Sequence, residues 1–148
     1  METPKVLFKG WAASFQETAP GALQWRVMSD SNSLYLVYTT VEDVPQARHL
    51  AKGLVESRLV ACAQIQPKCE SVFPWDGEIQ SASEVGLTLK TTQRCWPSVK
   101  AWLDEHHPYE VPEVLAVPVS DGSAAYMAWA RGWLADGTND PSLRGGTP

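Results

Sequence analysis

Residues 71–92 read S-V-F-P-W-D-G-E-I-Q-S-A-S-E-V-G-L-T-L-K-T-T. Asp76-Gly77 is a two-residue hairpin signal, because both residues tolerate positive φ and a type I′ turn requires it at both central positions. Beyond the turn, Val85, Leu87 and Leu89 alternate with Glu84, Gly86, Thr88 and Lys90, the period of a half-buried strand. Ser81-x-x-Glu84 has the form of a helix capping box, but the alternation that follows outweighs it. Before the turn, residues 60–66 and 71–75 supply the outgoing arm, stopped or bent at Pro67. The stretch predicts an antiparallel hairpin.

Outward from the hairpin, each side carries a strand and a helix. Residues 34–40, L-Y-L-V-Y-T-T, suit a buried strand. Pro45 then stands in the first turn of a helix, where its missing N–H costs nothing, and Ala47, Leu50, Ala51, Leu54 and Val55 recur at helical spacing. On the other side, Trp96, Val99, Trp102, Leu103 and His106 share one helical face, which places His106 in the core. Residues 106–119, H-H-P-Y-E-V-P-E-V-L-A-V-P-V, bend through Pro108 and Pro112 and enter an apolar run at 114–119 that reads as a buried strand. Asp121-Gly122 turns the chain, and Tyr126, Trp129, Ala130 and Trp133 line a third helix. The order predicts an α+β chain: a ferredoxin-like βαββαβ sandwich with an extra C-terminal helix. Two helices cover one sheet face only. Residues 35–38 and 60–65 are apolar or small on both sides, so the other face also needs a cover, and the simplest is a second copy of the chain.

The chain has 148 residues, room for one domain with a sizeable core. Its net charge of -5 gives no global basic surface for nucleic acid. The three cysteines form no C-x-x-C pair and leave one over, which argues against a disulfide framework and a structural zinc site, and for a reducing, cytoplasmic setting. No window approaches the ~20 apolar residues of a membrane helix. The run at 6–15 is broken by Lys9 and Gly10 and does not read as a targeting signal. Residues 1–33 read as a weakly structured extension in which Trp11 and Trp25 can pack on the domain surface. Residues 34–135 form the domain, and the Gly-, Pro- and Asn-rich 136–148 a disordered tail.

Two sets of side chains carry the chemistry. His107 can ligate a borderline or soft metal through its neutral imidazole, with Glu110 or Glu113 as oxygen partner and Cys69 as an accessible thiolate, whereas Cys62 reads as a buried hydrophobe. Lys90 and Thr91, with Trp75 as aromatic wall, Tyr109 as hydroxyl donor and Glu84, can form a small-ligand pocket at a subunit interface, or an interfacial ion-pair network. Glu84 and Lys90 share a strand face about 20 Å apart and must serve different partners. No nucleophile elbow, phosphate-cradling Gly-rich loop or H-E-x-x-H is present, so the expectation is a protein without catalysis and without an obligatory cofactor.

Several segments carry a family resemblance. V-Y-T-T (37–40), L-V-E-S-R-L-V-A-C-A-Q-I (54–65), W-D-G-E-I (75–79), E-V-G-L-T-L-K-T (84–91), H-P-Y-E-V-P-E (107–113) and Tyr126-x-x-Trp129 resemble, in order, the motifs of the divalent-cation-tolerance (CutA) family, over about residues 34–134. The resemblance implies a trimer in which long hairpins pair at their edges, an assembly similar to the PII-type signal transducers. It also implies a role in tolerance of divalent metals, copper above all, with no established catalytic activity. The alternative is a structural or signalling adaptor trimer that binds a small metabolite or a protein partner at its subunit interfaces. The chain departs from the family pattern twice. Some metal-binding members carry a cysteine near the position of Thr39, where a hydroxyl removes the ligand Cu(I) prefers. Pro74 also stands where an aromatic residue is usual.

Overall fold

The hairpin is built as its turn chemistry requires. Asp76 (φ 48°) and Gly77 (φ 82°) both occupy the left-handed region. The structure, a computed structural model, describes residues 31–135; the readings made for residues 1–30, with Trp11 and Trp25, and for the tail 136–148 lie outside the described residues. Seven elements run in the predicted order: β1 (Leu34–Val41), α1 (Val44–Glu56), β2 (Cys62–Trp75), β3 (Glu78–Thr92), α2 (Trp96–His106), β4 (Leu115–Pro118) and α3 (Ala124–Ala135). The sheet is antiparallel in the order β2-β3-β1-β4, so β3 lies between β2 and β1 as the split βαβ arrangement demands. The outgoing arm is one continuous strand. Pro67 lacks an N–H, and the ladder accommodates it by shifting register between Ile65 and Lys68, a bulge instead of a break.

The helices are placed by local chemistry as much as by packing. Asp43 caps α1 by accepting the Gln46 N–H at 2.8 Å. At the other end Arg58 takes a positive φ of 55°, and the Arg58 and Leu59 N–H groups bond back to the Val55 and Leu54 carbonyls, a Schellman closure. Val37, Val41, Val85, Leu87 and Leu89 on the sheet meet Leu50 and Leu54 of α1 and Val99 and Leu103 of α2 in the main core. The helices approach closely at Gly53, where a Cβ would lie 2.5 Å from the Trp102 ring.

The opposite sheet face is covered at one end only, by α3, whose Ala130 and Leu134 pack against Leu34 and Ala61. Arg58 and Arg94 donate to the carbonyls of Trp133 and Leu134 at 3.3 and 3.0 Å, satisfying the exposed acceptors of the last helical turn. The backbone of residues 31–33 is tied in as well, since the Ser31 and Ser33 carbonyls accept the Arg94 and Gln93 N–H groups. Among the described residues no helix is long and apolar enough to cross a membrane.

Three expectations are corrected. The apolar run at 114–119 yields a four-residue strand at the sheet edge, with Leu115 56% and Val117 47% exposed, because both point to the sheet face opposite α1 and α2, which α3 leaves uncovered there. His106 is exposed, not in the core: its ring stacks on Trp102, 4.0 Å between centres, and its Nδ1 lies 2.8 Å from the Trp102 carbonyl, so its partners are one turn back on α2 instead of on the sheet. Cys62 is half-buried, since it faces the side of the sheet that lacks α1 and α2.

Candidate functional site

The bend after α2 delivers the site. Pro108 denies His107 a helical backbone, and His107 adopts φ -70°, ψ 136° while its N–H still caps the Leu103 carbonyl at 2.9 Å. The change of direction swings its ring inward toward β1. Nδ1 accepts the Tyr109 N–H at 3.1 Å, so the neutral ring carries its proton on Nε2, which donates to Thr39 Oγ1 at 3.0 Å. Burial holds the imidazole pKa below its ordinary value, outweighing a hydrogen bond with the Thr40 backbone and the field of Glu84, which both push it up.

Tyr109 extends the network. Its hydroxyl donates to Glu84 Oε1 at 3.0 Å, and the Thr40 hydroxyl donates to the same oxygen at 3.3 Å. Burial, then the hydrogen bond and negative field of Glu84, push the phenol pKa well above its ordinary value. Thr39, Thr40, Glu84, His107 and Tyr109 thus form one connected polar group joining the end of β1, the start of the buried half of β3 and the bend.

The other candidates fall elsewhere. Cys69 is exposed across the ladder from Glu84, its thiol 3.6 Å from the Glu84 carbonyl. Glu110 and Glu113 are exposed on the bend. Among the described residues no group of three or more His, Cys, Asp or Glu side chains could hold a metal ion. Both nitrogens of His107 are engaged, and one contact must break before the ring can ligate. Within one chain His107, Glu110, Glu113 and Cys69 therefore do not fit a closed metal site.

Of the pocket set, only Glu84 and Tyr109 meet. Thr91 is fully buried and donates to the Leu59 carbonyl at 2.7 Å, a structural role. Trp75 pairs with Glu78 at the hairpin turn, about 20 Å along β3 from Glu84, and Lys90 is about as far the other way. Lys90 instead reaches the Tyr126 ring, 5.3 Å from its centre. Sequence reasoning singled out Thr39 and His107 separately and missed their pairing. They are 68 residues apart, and no periodicity links them.

The network can accept a hydrogen-bond donor or a cation at Glu84. It is poorly arranged for nucleophilic chemistry: His107 Nε2 already holds a proton, and Thr39 is 2% exposed, out of reach of a substrate.

Residues 35–132 match the family model described as CutA1 divalent ion tolerance protein. The divalent-cation tolerance protein CutA of Thermus thermophilus is 41% identical over 96 residues, 65% of this chain and 93% of that protein. The chloroplastic protein CutA of Arabidopsis thaliana is 38% identical over 65% of this chain, which spans only 53% of the plant protein. Among solved structures, CutA of Xylella fastidiosa superimposes with a TM-score of 0.67 at 33% identity, covering 69% of this chain and 98% of that one.

Proposed function

The chain belongs to the CutA1 divalent ion tolerance family, and from that premise we propose that it works as a homotrimer that contributes to divalent-ion tolerance without catalysing a reaction. The observation that carries the assembly is the bare apolar surface. Tyr38, Leu115 and Val117 are exposed on the sheet face that α3 leaves uncovered, and Val72 and Ile79 on the long hairpin are 66% and 75% exposed. Large apolar side chains left bare in two places, the first beside an open strand edge, are what association removes from water. The number three rests on the family resemblance.

Copper is the ion this reading favours. Because one chain does not gather a donor set, copper would be held by donors of more than one chain, with His107, Glu110, Glu113 and Cys69 as the groups to test. Proton-bearing His107 Nε2 and buried Thr39 support the absence of catalysis. The half-buried Glu84, acceptor of two hydroxyls, supports a second reading, an adaptor that binds a small cationic metabolite or protein side chain at the same corner. The cytoplasm is the proposed compartment, supported by three free cysteines.

Native mass spectrometry from mild buffer tests the assembly, and calorimetry with Cu(II) on the reduced protein tests the ion. Three chains per particle are expected, together with copper binding that His107→Ala weakens about tenfold, the loss of one ligand's worth of affinity. A stable monomer at micromolar concentration would sink the assembly, and unchanged affinity in the variant would remove His107 from the site.

A further inference from the structure

The sheet face away from α1 and α2 carries two charges that one chain does not compensate. Val85, Leu87 and Leu89 of β3 turn into the main core, so Glu84 and Lys90 turn to the opposite face. The other charged strand residues lie elsewhere. Lys68 and Glu70 pair with Val85 and Ser83 and so alternate to the core side, and Glu78 is exposed at the hairpin turn. Glu84 and Lys90 are both half-buried. The Thr40 and Tyr109 hydroxyls both end on Oε1 of Glu84, and among the described residues Oε2 has no partner and the carboxylate no ion pair. The Lys90 ammonium has the Tyr126 ring, 5.3 Å from its centre, and no carboxylate within ion-pair distance. Six residues of strand hold the two charges about 20 Å apart, farther than their side chains can bridge.

We propose that Glu84 of one copy pairs with Lys90 of the next. The pairing rests on the assembly proposed above, which covers this face, and it names the contact that sets how the copies are placed. Covering either charge alone would strip water from an ion and leave it unpaired. Bringing the two together gives Oε2 of Glu84 its donor and Lys90 its anion in one charge-assisted hydrogen bond. In a ring of three, each copy offers Glu84 to one neighbour and Lys90 to the other, a head-to-tail contact that closes on itself. An ammonium seated on Glu84 also shuts that corner to a free cationic ligand.

The first test uses the unaltered full chain. A carbodiimide condenses a carboxylate and an amine in contact into an amide, with loss of water and no spacer, so a Glu84–Lys90 link can form only between chains. Mass spectrometry of the digested cross-linked species, two and three chains in mass, should find that link. Its absence from an assembled protein, or Lys90 joined instead to Glu78, would overturn the proposal. The second test is a pair of variants: Glu84→Gln keeps an acceptor for Thr40 and Tyr109, and Lys90→Met keeps the apolar stem. Each should speed the exchange of subunits between light and heavy isotope-labelled oligomers about tenfold or more, read by native mass spectrometry, because it leaves the other ion buried and unpaired. The double variant should exchange no faster than either single one, and effects that multiply would mean that the residues do not meet. A monomeric wild type would remove the assembly and the pair together, whereas a wild-type oligomer without the link removes the pair alone.

Discussion

The hydrogen bond from Tyr109 to Glu84 offers the sharpest check on the site as described. Tyr109→Phe removes one hydroxyl and leaves the ring in place against His107, 5.2 Å between centres. A hydrogen bond to a charged acceptor contributes about 1.5–3 kcal/mol. Two features place this one at or below the low end: both partners are half-buried, so solvent screens the pair, and Glu84 keeps the Thr40 hydroxyl at 3.3 Å, so no carboxylate is stranded. A loss of about 1 kcal/mol is expected, equivalent to roughly 4–8 °C in Tm for a domain of this size. The assay is urea unfolding at fixed protein concentration, because any assembly makes apparent stability concentration-dependent. A double-mutant cycle with Glu84→Ala isolates the pair, and a coupling energy of about 0.5–1 kcal/mol is expected. If the two changes add to within about 0.3 kcal/mol, the residues do not interact in solution and the network is wrongly drawn.

Two further predictions follow from the same structure. His107 has a folded-state pKa below the ordinary 6.5, so the unfolded chain takes up its proton first: the contribution is whole above pH 6.5 and is lost as pH falls below it. Tyr109, whose phenol is raised from 10.0, has the opposite dependence, its contribution being lost as pH rises above 10.0. Urea midpoints across pH should therefore fall on both sides, and His107→Phe should flatten the acid side; a variant that keeps the full acid slope would assign it to other groups. Gly53→Ala sets a gain in helix propensity of about 1 kcal/mol against a Cβ 2.5 Å from Trp102, where overpacking costs about 1–3 kcal/mol. A net loss near 1 kcal/mol with altered tryptophan near-UV dichroism is expected, and a higher Tm would mean that Trp102 moves aside freely.

Local chemistry made much of the fold legible. Asp76-Gly77 could serve only as a turn in that context, the alternation at Val85, Leu87 and Leu89 could belong only to a half-buried strand, and the order of elements then left few topologies. The departures share a cause. Periodicity gives the angle of a residue about its helix axis but not whether a partner surface extends that far along it. Val99 and Leu103 are therefore buried as their spacing says, while His106, on the same stripe, stacks on Trp102 and stays exposed. The run at 114–119 looks alike whether flanked by two strands or one.

The sequence alone determined the βαββαβα order, the hairpin turn and the face that β3 turns to the core, because these follow from backbone sterics and from periods of two and 3.6 residues. Only the tertiary structure decided that Thr39 meets His107, that Glu84 gathers the hydroxyls of Thr40 and Tyr109, and that Lys90 lies against Tyr126. Those contacts join residues far apart in the chain, and they depend on register and on helix placement over the sheet, which are set by packing the whole core at once.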